Sequence, residues 1–221
     1  MFSEAYPAVY RDRFGEVATT LYNDGKHLCM TLRGIKFTGR SLDDWDPGAH
    51  ADVTLLQSFT FMRSGRELCE YTLEFDMPIL VAFQAEQLQG TLHVLLTLGA
   101  ATPNGGADRE ILFLRLTVGD SSFASQGKVG WFEDELLDIQ RQLPEGLYMQ
   151  ICFCCAYSDY HPVGNGLFDD LACFRNKKQE YLAISNKYAL MDMWPTHIED
   201  VQETYRCPEF ERRKLGTGYR G

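Results

Sequence analysis

Length, composition and charge set the first limits on what this chain can be. It has 221 residues, of which 45% are hydrophobic and 24% charged, a balance typical of a folded globular protein. The formal net charge of -10 repels phosphate backbones and anionic lipid, so we expect neither nucleic acid nor a membrane as a partner. A field of this sign instead favours a basic protein.

The N-terminal region and the cysteine content indicate a cytoplasmic protein. The first residues do not have the basic start and apolar run of a secretory signal. The seven cysteines, an odd number, are more typical of a reducing compartment than of a disulfide framework. Because no linker-like stretch is evident, we expect a single domain over residues 1–221. The alternative is a strand-rich part over 1–125 and a helix plus a Cys-rich part over 126–221.

The first half of the chain has the pattern of antiparallel strands. Residues 17–22 and 27–32 flank Asn23-Asp24-Gly25-Lys26, and Asp-Gly between apolar runs predicts a hairpin. We expect the second strand to continue to Phe37, with Gly34 at a bulge. Further strands are predicted over residues 55–62, 68–75, 79–83, 90–98 and 110–118.

The period changes to that of a helix at about residues 131–143. Apolar side chains recur at helical spacing there, acids crowd the start at Glu133-Asp134-Glu135, and Pro144 ends the pattern. Strands are then predicted over residues 148–156, 171–174 and 181–184, and residues 201–213 allow a C-terminal helix. This order predicts a β-rich α+β fold, mainly an antiparallel sheet or sandwich with one amphipathic helix.

Four of the seven cysteines, Cys152, Cys154, Cys155 and Cys173, lie close together in the sequence. Cys152 and Cys155 have the Cys-x2-Cys spacing of zinc ligands, with Cys173 and Cys207 as distant partners. If the segment is extended, Cys152 and Cys154 share one face instead, so Cys154 and His161 are substitute ligands.

The same cysteines have other interpretations. Buried thiols that serve as small apolar side chains are one alternative. A nucleophile made of Cys154 or Cys155 with His161 is another, but no pattern fixes that geometry, so no catalytic residue is assigned and enzymatic activity is not expected.

Two groups of residues are candidates for binding a protein partner. Asp43, Asp44 and Asp46 form an acidic loop that would attract a basic surface. Tyr160 and Phe168 lie in a loop and are expected to be exposed aromatic anchors.

Several strings resemble an uncharacterised bacterial family, a domain of unknown function. They are Cys-x2-Cys-Ala-Tyr-Ser-Asp-Tyr from Cys152, Gly-x-Gly-x-Phe from Gly164, Cys-Phe-Arg from Cys173, and Gln-Glu-Thr-Tyr-x-Cys-Pro-Glu-Phe-Glu-Arg-Arg from Gln202. Asn23 to Lys26 and Arg33-Gly34 are similar too, so the resemblance is expected to span nearly the whole chain. It implies a bacterial, free-standing cytosolic module and no activity. Because Cys152, Cys155, Cys173 and Cys207 fall in the matching strings, this set ranks first for zinc.

The sequence therefore leaves two functions open. The first is a non-enzymatic, cytosolic protein-binding module, an immunity or antitoxin-like protein that neutralises a basic toxin such as a nuclease. The second is a zinc protein whose cysteine cluster is structural or hydrolytic.

Overall fold

A computed structural model describes residues 4–63, 65–84, 86–164, 167–168 and 171–220. Strands account for 41% of the structure and helices for 17%, which confirms the expected β-rich α+β class. In the part of the chain that is described, no helix has the length and apolar character needed to cross a bilayer.

A large antiparallel sheet of nine strands occupies the first two thirds of the chain. Eight of its strands are hydrogen-bonded in the order β4-β3-β2-β1-β5-β6-β7-β8, and β9 pairs with β5. In chain order the strands are β1 (Glu4–Asp12), β2 (Gly15–Asn23), β3 (Leu28–Leu32), β4 (Ile35–Gly39), β5 (Tyr71–Phe83), β6 (Glu86–Leu98), β7 (Glu110–Val118), β8 (Ser121–Ala124) and β9 (Leu147–Met149).

Alternation of apolar and polar residues gives this sheet one buried face. Val94 of β6 lies opposite Phe75 of β5 and opposite Leu114 of β7, and all three side chains are buried. Because successive side chains point to opposite faces, residues two apart repeat this row along the three strands. The row on one side joins Leu73, Leu96 and Leu112, and the row on the other joins Met77, Leu92 and Leu116.

The N-terminal strands confirm the first predicted hairpin and correct its continuation. β2 and β3 pair across the Asp24-Gly25 turn, as expected. The chain does not continue through a bulge at Gly34, because Arg33 and Gly34 both have positive φ (48° and 84°) and form a two-residue turn into β4. β1 was not expected. Its Pro7 lies before the segment that pairs with β5, which starts at Ala8.

The predicted helix is confirmed, whereas a predicted strand is replaced by helix and turns. Helix α2 covers Phe132–Gln142 and contacts β7 and β8. Residues 55–62 do not form a strand, because a short helix, α1 (Val53–Leu56), and turns occupy them. The predicted strands over 68–75 and 79–83 lie mostly in the single strand β5.

A second, three-stranded sheet lies in the C-terminal part. Its order is β10 (Ser158–Tyr160), β11 (Leu171–Cys173) and β12 (Glu199–Val201), all antiparallel. Two short helices, α3 (Lys178–Leu182) and α4 (Lys187–Met193), connect β11 to β12. The predicted strand over residues 181–184 is absent, because Tyr181 and Leu182 end α3 and a turn follows; residues 201–213 form a strand end and turns rather than the helix that the sequence allowed.

Candidate functional site

Three of the four first-ranked cysteines surround one serine, Ser158. The Ser158 hydroxyl donates to the Cys152 carbonyl at 2.5 Å and lies 3.4 Å from the Cys155 carbonyl. In the register of β10 and β11, Ser158 lies opposite Cys173. The small sheet therefore brings Cys173 beside the segment that carries Cys152 and Cys155.

The segment from Cys152 to Cys155 is a turn and not an extended strand. Cys152–Cys154 form a 3-10 helix, and the Cys155 N–H donates to the Cys152 carbonyl at 3.0 Å. The predicted strand over residues 148–156 is thus limited to β9. A tight turn keeps the two cysteines of the Cys-x2-Cys pair together, which an extended chain would not do.

Cys207 joins the other three through the segment that follows β12. The Cys152 N–H donates to the Tyr205 carbonyl at 3.0 Å, two residues before Cys207. Burial raises the pKa of Cys152, and the neighbouring Cys155, Cys207 and Cys173 thiols raise it further. We call Cys152, Cys155, Cys173 and Cys207 the thiol cluster. Across the described ranges, no group of three or more His, Cys, Asp or Glu side chains is arranged to hold a metal ion.

The two substitute ligands face other surroundings. Cys154 points its thiol at the Gln140 side chain of α2, with 3.5 Å between Sγ and Oε1, and burial raises its pKa to about 12. The His161 ring packs edge-on against Trp194, with the ring centroids 4.7 Å apart, and its Nδ1 lies 3.3 Å from the Val163 backbone nitrogen. The loop that contains His161 is described as far as Gly164, and residues 165 and 166 lie outside the described residues.

An arginine adjoins the thiol cluster. Arg175 Nη1 lies 3.7 Å from Cys173 Sγ, and Nη2 is paired with Glu199 at 2.6 Å. Burial raises the pKa of Cys173, whereas Arg175 acts to lower it. The cluster therefore includes a fixed positive charge that stabilises thiolate.

A cleft of about 300 Å³ lies near the small sheet, between the start of α2, β10 and the C-terminal segment. Its lining includes the buried residues Asp159 and Tyr160 and the partly buried Glu133 and Arg220. Trp131, Val163 and Tyr219 also line it, and all three are substantially exposed. We call this the acidic cleft, because it carries two carboxyl groups and one guanidinium.

Arg220 is fixed by groups on several sides. Its Nη2 donates to the Phe153 carbonyl at 2.7 Å, and its Nη1 lies 3.5 Å from the Glu133 carboxylate. Its guanidinium carbon is 5.0 Å from the ring centroid of Phe153 and 5.1 Å from that of Tyr160, which is the distance of a cation-π contact. One cation is therefore already held here by carboxylate and aromatic groups together.

Burial, more than any other factor, sets the acidity of the two carboxyl groups. It raises the pKa of both Asp159 and Glu133, and the Arg220 charge offsets part of this in each case. Both carboxyl groups therefore lose their proton less readily than in water, and a further positive charge in the cleft would favour the ionised form.

The protein also fixes the direction of the Asp159 carboxylate. The Tyr181 hydroxyl donates to Oδ2 at 2.8 Å, and the Tyr160 N–H donates to Oδ1 at 2.9 Å. Arg213 Nη1 in turn donates to the Tyr181 hydroxyl oxygen at 3.1 Å. This chain of contacts holds the carboxylate in place at low exposure.

The entry of α2 is held by one buried carboxylate. Glu135 accepts the backbone N–H groups of Gly127 at 2.9 Å, Lys128 at 3.1 Å and Val129 at 3.1 Å. It thereby ties the preceding loop to the first turn of the helix, where Trp131 and Glu133 line the acidic cleft.

The residues expected to bind a partner are placed differently from the prediction. Tyr160 and Phe168 are buried, and Phe168 packs against Phe132, so neither is an exposed anchor. Asp44 accepts the backbone N–H groups of Arg40 and Ser41, and Asp46 accepts that of Gly48. These two carboxylates therefore bind the backbone of their own loop. Asp43 is partly exposed.

Sequence reasoning named Tyr160, which lines the acidic cleft, as a partner-binding residue, but it missed the charged residues of the cleft. The sequence indicates Glu133 only as part of the acidic start of a helix, and it assigns Asp159 to no partner-binding site. Nothing in their spacing indicates that Arg220 meets them, because the three residues come from α2, β10 and the C-terminal segment.

Comparison with family models decides which family the chain belongs to. A model described as a family of unknown function, DUF6304, matches residues 4–158. The chain belongs to this family. The match confirms the expected kind of family but ends at Ser158, so it contains Cys152 and Cys155 and not Cys173 or Cys207. Comparison with curated proteins and with solved structures finds no match.

Proposed function

We propose that this chain is a non-enzymatic, cytoplasmic protein-binding module that receives a basic side chain of its partner in the acidic cleft. An immunity or antitoxin-like protein that neutralises a basic toxin, such as a nuclease, is the function that suits it best. The proposal rests on one observation: a cleft with two carboxyl groups and an exposed aromatic rim, in a chain of net charge -10.

The charge balance of the cleft supports a cationic guest. Among the groups that line the cleft, Glu133 and Asp159 are two carboxyl groups and Arg220 is one guanidinium, so the lining keeps one negative charge in excess when both carboxyl groups are ionised. The Arg213 charge, outside the lining, also acts on Asp159. Burial raises the pKa of both carboxyl groups, so ionising them costs free energy. The positive charge of a lysine or arginine from a partner would offset part of that cost. The acidity of the whole chain would speed the approach of a basic protein.

The rim of the cleft suits the stem of such a side chain. Trp131 and Tyr219 are 47% and 41% exposed, which leaves two aromatic surfaces open beside the carboxylates. Lysine and arginine bury their methylene stems against apolar surface while the charged head meets polar groups. Within the chain itself, Arg220 shows that aromatic rings at this place also contact a cation, since its guanidinium carbon lies over the rings of Phe153 and Tyr160.

The carboxylates fit a receptor better than a catalyst. Asp159 is oriented by Tyr181 and by a backbone N–H, and Glu133 is paired with Arg220. Such fixed partners prepare a binding site before the guest arrives, which reduces the ordering cost of association.

A labelled octalysine peptide tests the proposal by fluorescence anisotropy. We expect the full chain to bind the peptide in a salt-sensitive manner. Glu133→Gln should bind it about tenfold more weakly, because the variant loses one close charge contact of about 1.4 kcal/mol. Asp134→Asn is the matched control, because it removes the same charge one residue away, at an exposed position outside the cleft lining.

Two results would contradict the proposal. One is the absence of peptide binding at low salt, and the other is equal weakening by the two variants, which would mean that only net charge matters. Co-expression with a basic toxin encoded beside this chain tests the immunity role, since a protective chain should restore growth and Glu133→Gln should restore less.

A further inference from the structure

The C-terminal segment has little regular structure to hold it in place. After β12, residues 202–220 form turns, and one isolated bridge joins Arg212 to Cys155. The segment nevertheless supplies buried groups, such as Gln202 and Glu203, and two residues of the acidic cleft, Tyr219 and Arg220. Irregular segments with little core of their own are commonly fastened by a disulfide or a metal ion.

The thiol cluster joins this segment to the rest of the C-terminal part. Cys152 and Cys155 come from a tight turn, Cys173 ends β11, and Cys207 lies within the irregular segment. Two backbone hydrogen bonds position Cys207 near the turn. The Cys152 N–H donates to the Tyr205 carbonyl, and the Phe210 N–H donates to the Cys207 carbonyl. Four thiols from three segments therefore share one neighbourhood.

We propose that Cys152, Cys155, Cys173 and Cys207 bind one structural zinc ion that fastens the C-terminal segment to β11 and to the turn before β10. Four cysteine thiolates in tetrahedral arrangement are a standard structural zinc site, and a Cys-x2-Cys turn supplies two adjacent ligands of it. Each thiol gives up its proton when it binds the metal.

Arg175 suits a thiol cluster that binds zinc. Four thiolates around a divalent ion leave an excess of two negative charges, and Arg175 places its guanidinium 3.7 Å from Cys173 Sγ. Glu199 and Glu209 hold the arginine in that position. A fixed cation outside the ligands reduces the cost of collecting the thiolates and orients one of them.

The proposal requires the ligand side chains to turn. Since no three potential ligands in the described residues are arranged around a metal position, the thiols must rotate about their χ1 bonds to meet one ion. Cys152, Cys155 and Cys173 are buried, whereas Cys207 is only partly buried. Cys207 is therefore the ligand expected to move most.

Zinc content and zinc release test the site. Full-length protein purified without added metal should contain about one zinc ion per chain, released when the thiols are titrated with a mercurial reagent. Cys173→Ser and Cys207→Ser should each retain a small fraction of that amount. Cys154→Ser is the matched control, because it alters the same turn but faces Gln140, and it should keep the wild-type content.

Cobalt provides a readout that does not depend on the folding of variants. Added to metal-free wild-type protein, Co²⁺ should produce the intense visible and near-ultraviolet absorption of tetrahedral thiolate coordination. A zinc content of about a tenth of an equivalent or less, with all seven thiols titrating freely and no cobalt absorption, would overturn the proposal. This outcome would leave peptide binding by the acidic cleft unaffected, so the two proposals can fail separately.

Discussion

Glu135 provides a sharp test of how the entry of α2 is held. The substitution Glu135→Gln keeps the size of the side chain and removes its charge. In the protein, one carboxylate oxygen accepts the N–H groups of Lys128 and Val129, and the other accepts that of Gly127. The glutamine carbonyl can replace the first oxygen, but its NH2 group would then face the Gly127 N–H as a second donor.

The expected cost follows from these contacts. Leaving the partly buried Gly127 N–H without an acceptor costs about 1–3 kcal/mol, and two bonds that change from charged to neutral acceptors lose about 0.5–1 kcal/mol each. The free energy of unfolding should therefore fall by about 2–5 kcal/mol, a large part of the typical 5–15 kcal/mol. Urea unfolding followed by circular dichroism measures this fall.

Asp134→Asn is the control for charge near the helix N-terminus. Asp134 is exposed in the same helical turn, so its removal should cost about 0.3–1 kcal/mol. If both variants unfold at the same urea concentration with the same slope, the three hydrogen bonds do not hold the loop, and the reasoning is refuted.

Two further predictions concern local geometry. Arg33→Lys should lower the thermal unfolding midpoint and reduce the free energy of unfolding by about 1–3 kcal/mol. Lysine cannot reproduce the paired contacts of 2.7 and 2.8 Å that Arg33 makes to the buried Asp12 carboxylate. A midpoint equal to that of the wild type would contradict this. Gly130→Ala should destabilise by about 1–3 kcal/mol in urea unfolding, since its Cβ would lie 2.6 Å from Glu110 Cβ. Gly164→Ala, with no atom within 4 Å of the added Cβ, should unfold like wild type, and an equal loss in both glycine variants would count against the steric argument.

The fold was predictable where local chemistry determines it. The Asp24-Gly25 turn indicated the hairpin of β2 and β3, and alternation gave β7 its observed limits. The change of period and the acids before α2 located that helix within a residue at each end. In each case the deciding interactions lie within a few residues of one another.

The errors occurred where tertiary contacts override local pattern. Pro7 concealed β1, since a proline usually argues against a paired strand. Short apolar runs, such as residues 55–62 and 181–184, fit strand or helix equally well by periodicity, and here each begins at the end of a short helix and continues as turns.

In the candidate site, too, local features were predictable and contacts between distant segments were not. The Cys-x2-Cys spacing was visible in the sequence. The turn that directs the Cys154 side chain away from the Cys155 side chain was not. The burial of Tyr160 and Phe168 depends on neighbours from distant segments, as does the meeting of Glu133 with Arg220. Spacing in the sequence contains no information about such contacts.

The pH dependence of peptide binding tests the central claim that buried carboxyl groups in the acidic cleft receive a cation. Burial raises the pKa of Glu133 and Asp159, so lowering the pH from 8 to 5 protonates more of each group than the same change would in water. Calorimetric titration of octalysine should therefore show weaker binding at pH 5 than at pH 8, with proton release on binding at pH 5. Glu133→Gln should reduce both effects, and Asp134→Asn should leave them in place. Affinity that does not change between these pH values, without proton release, would contradict the account.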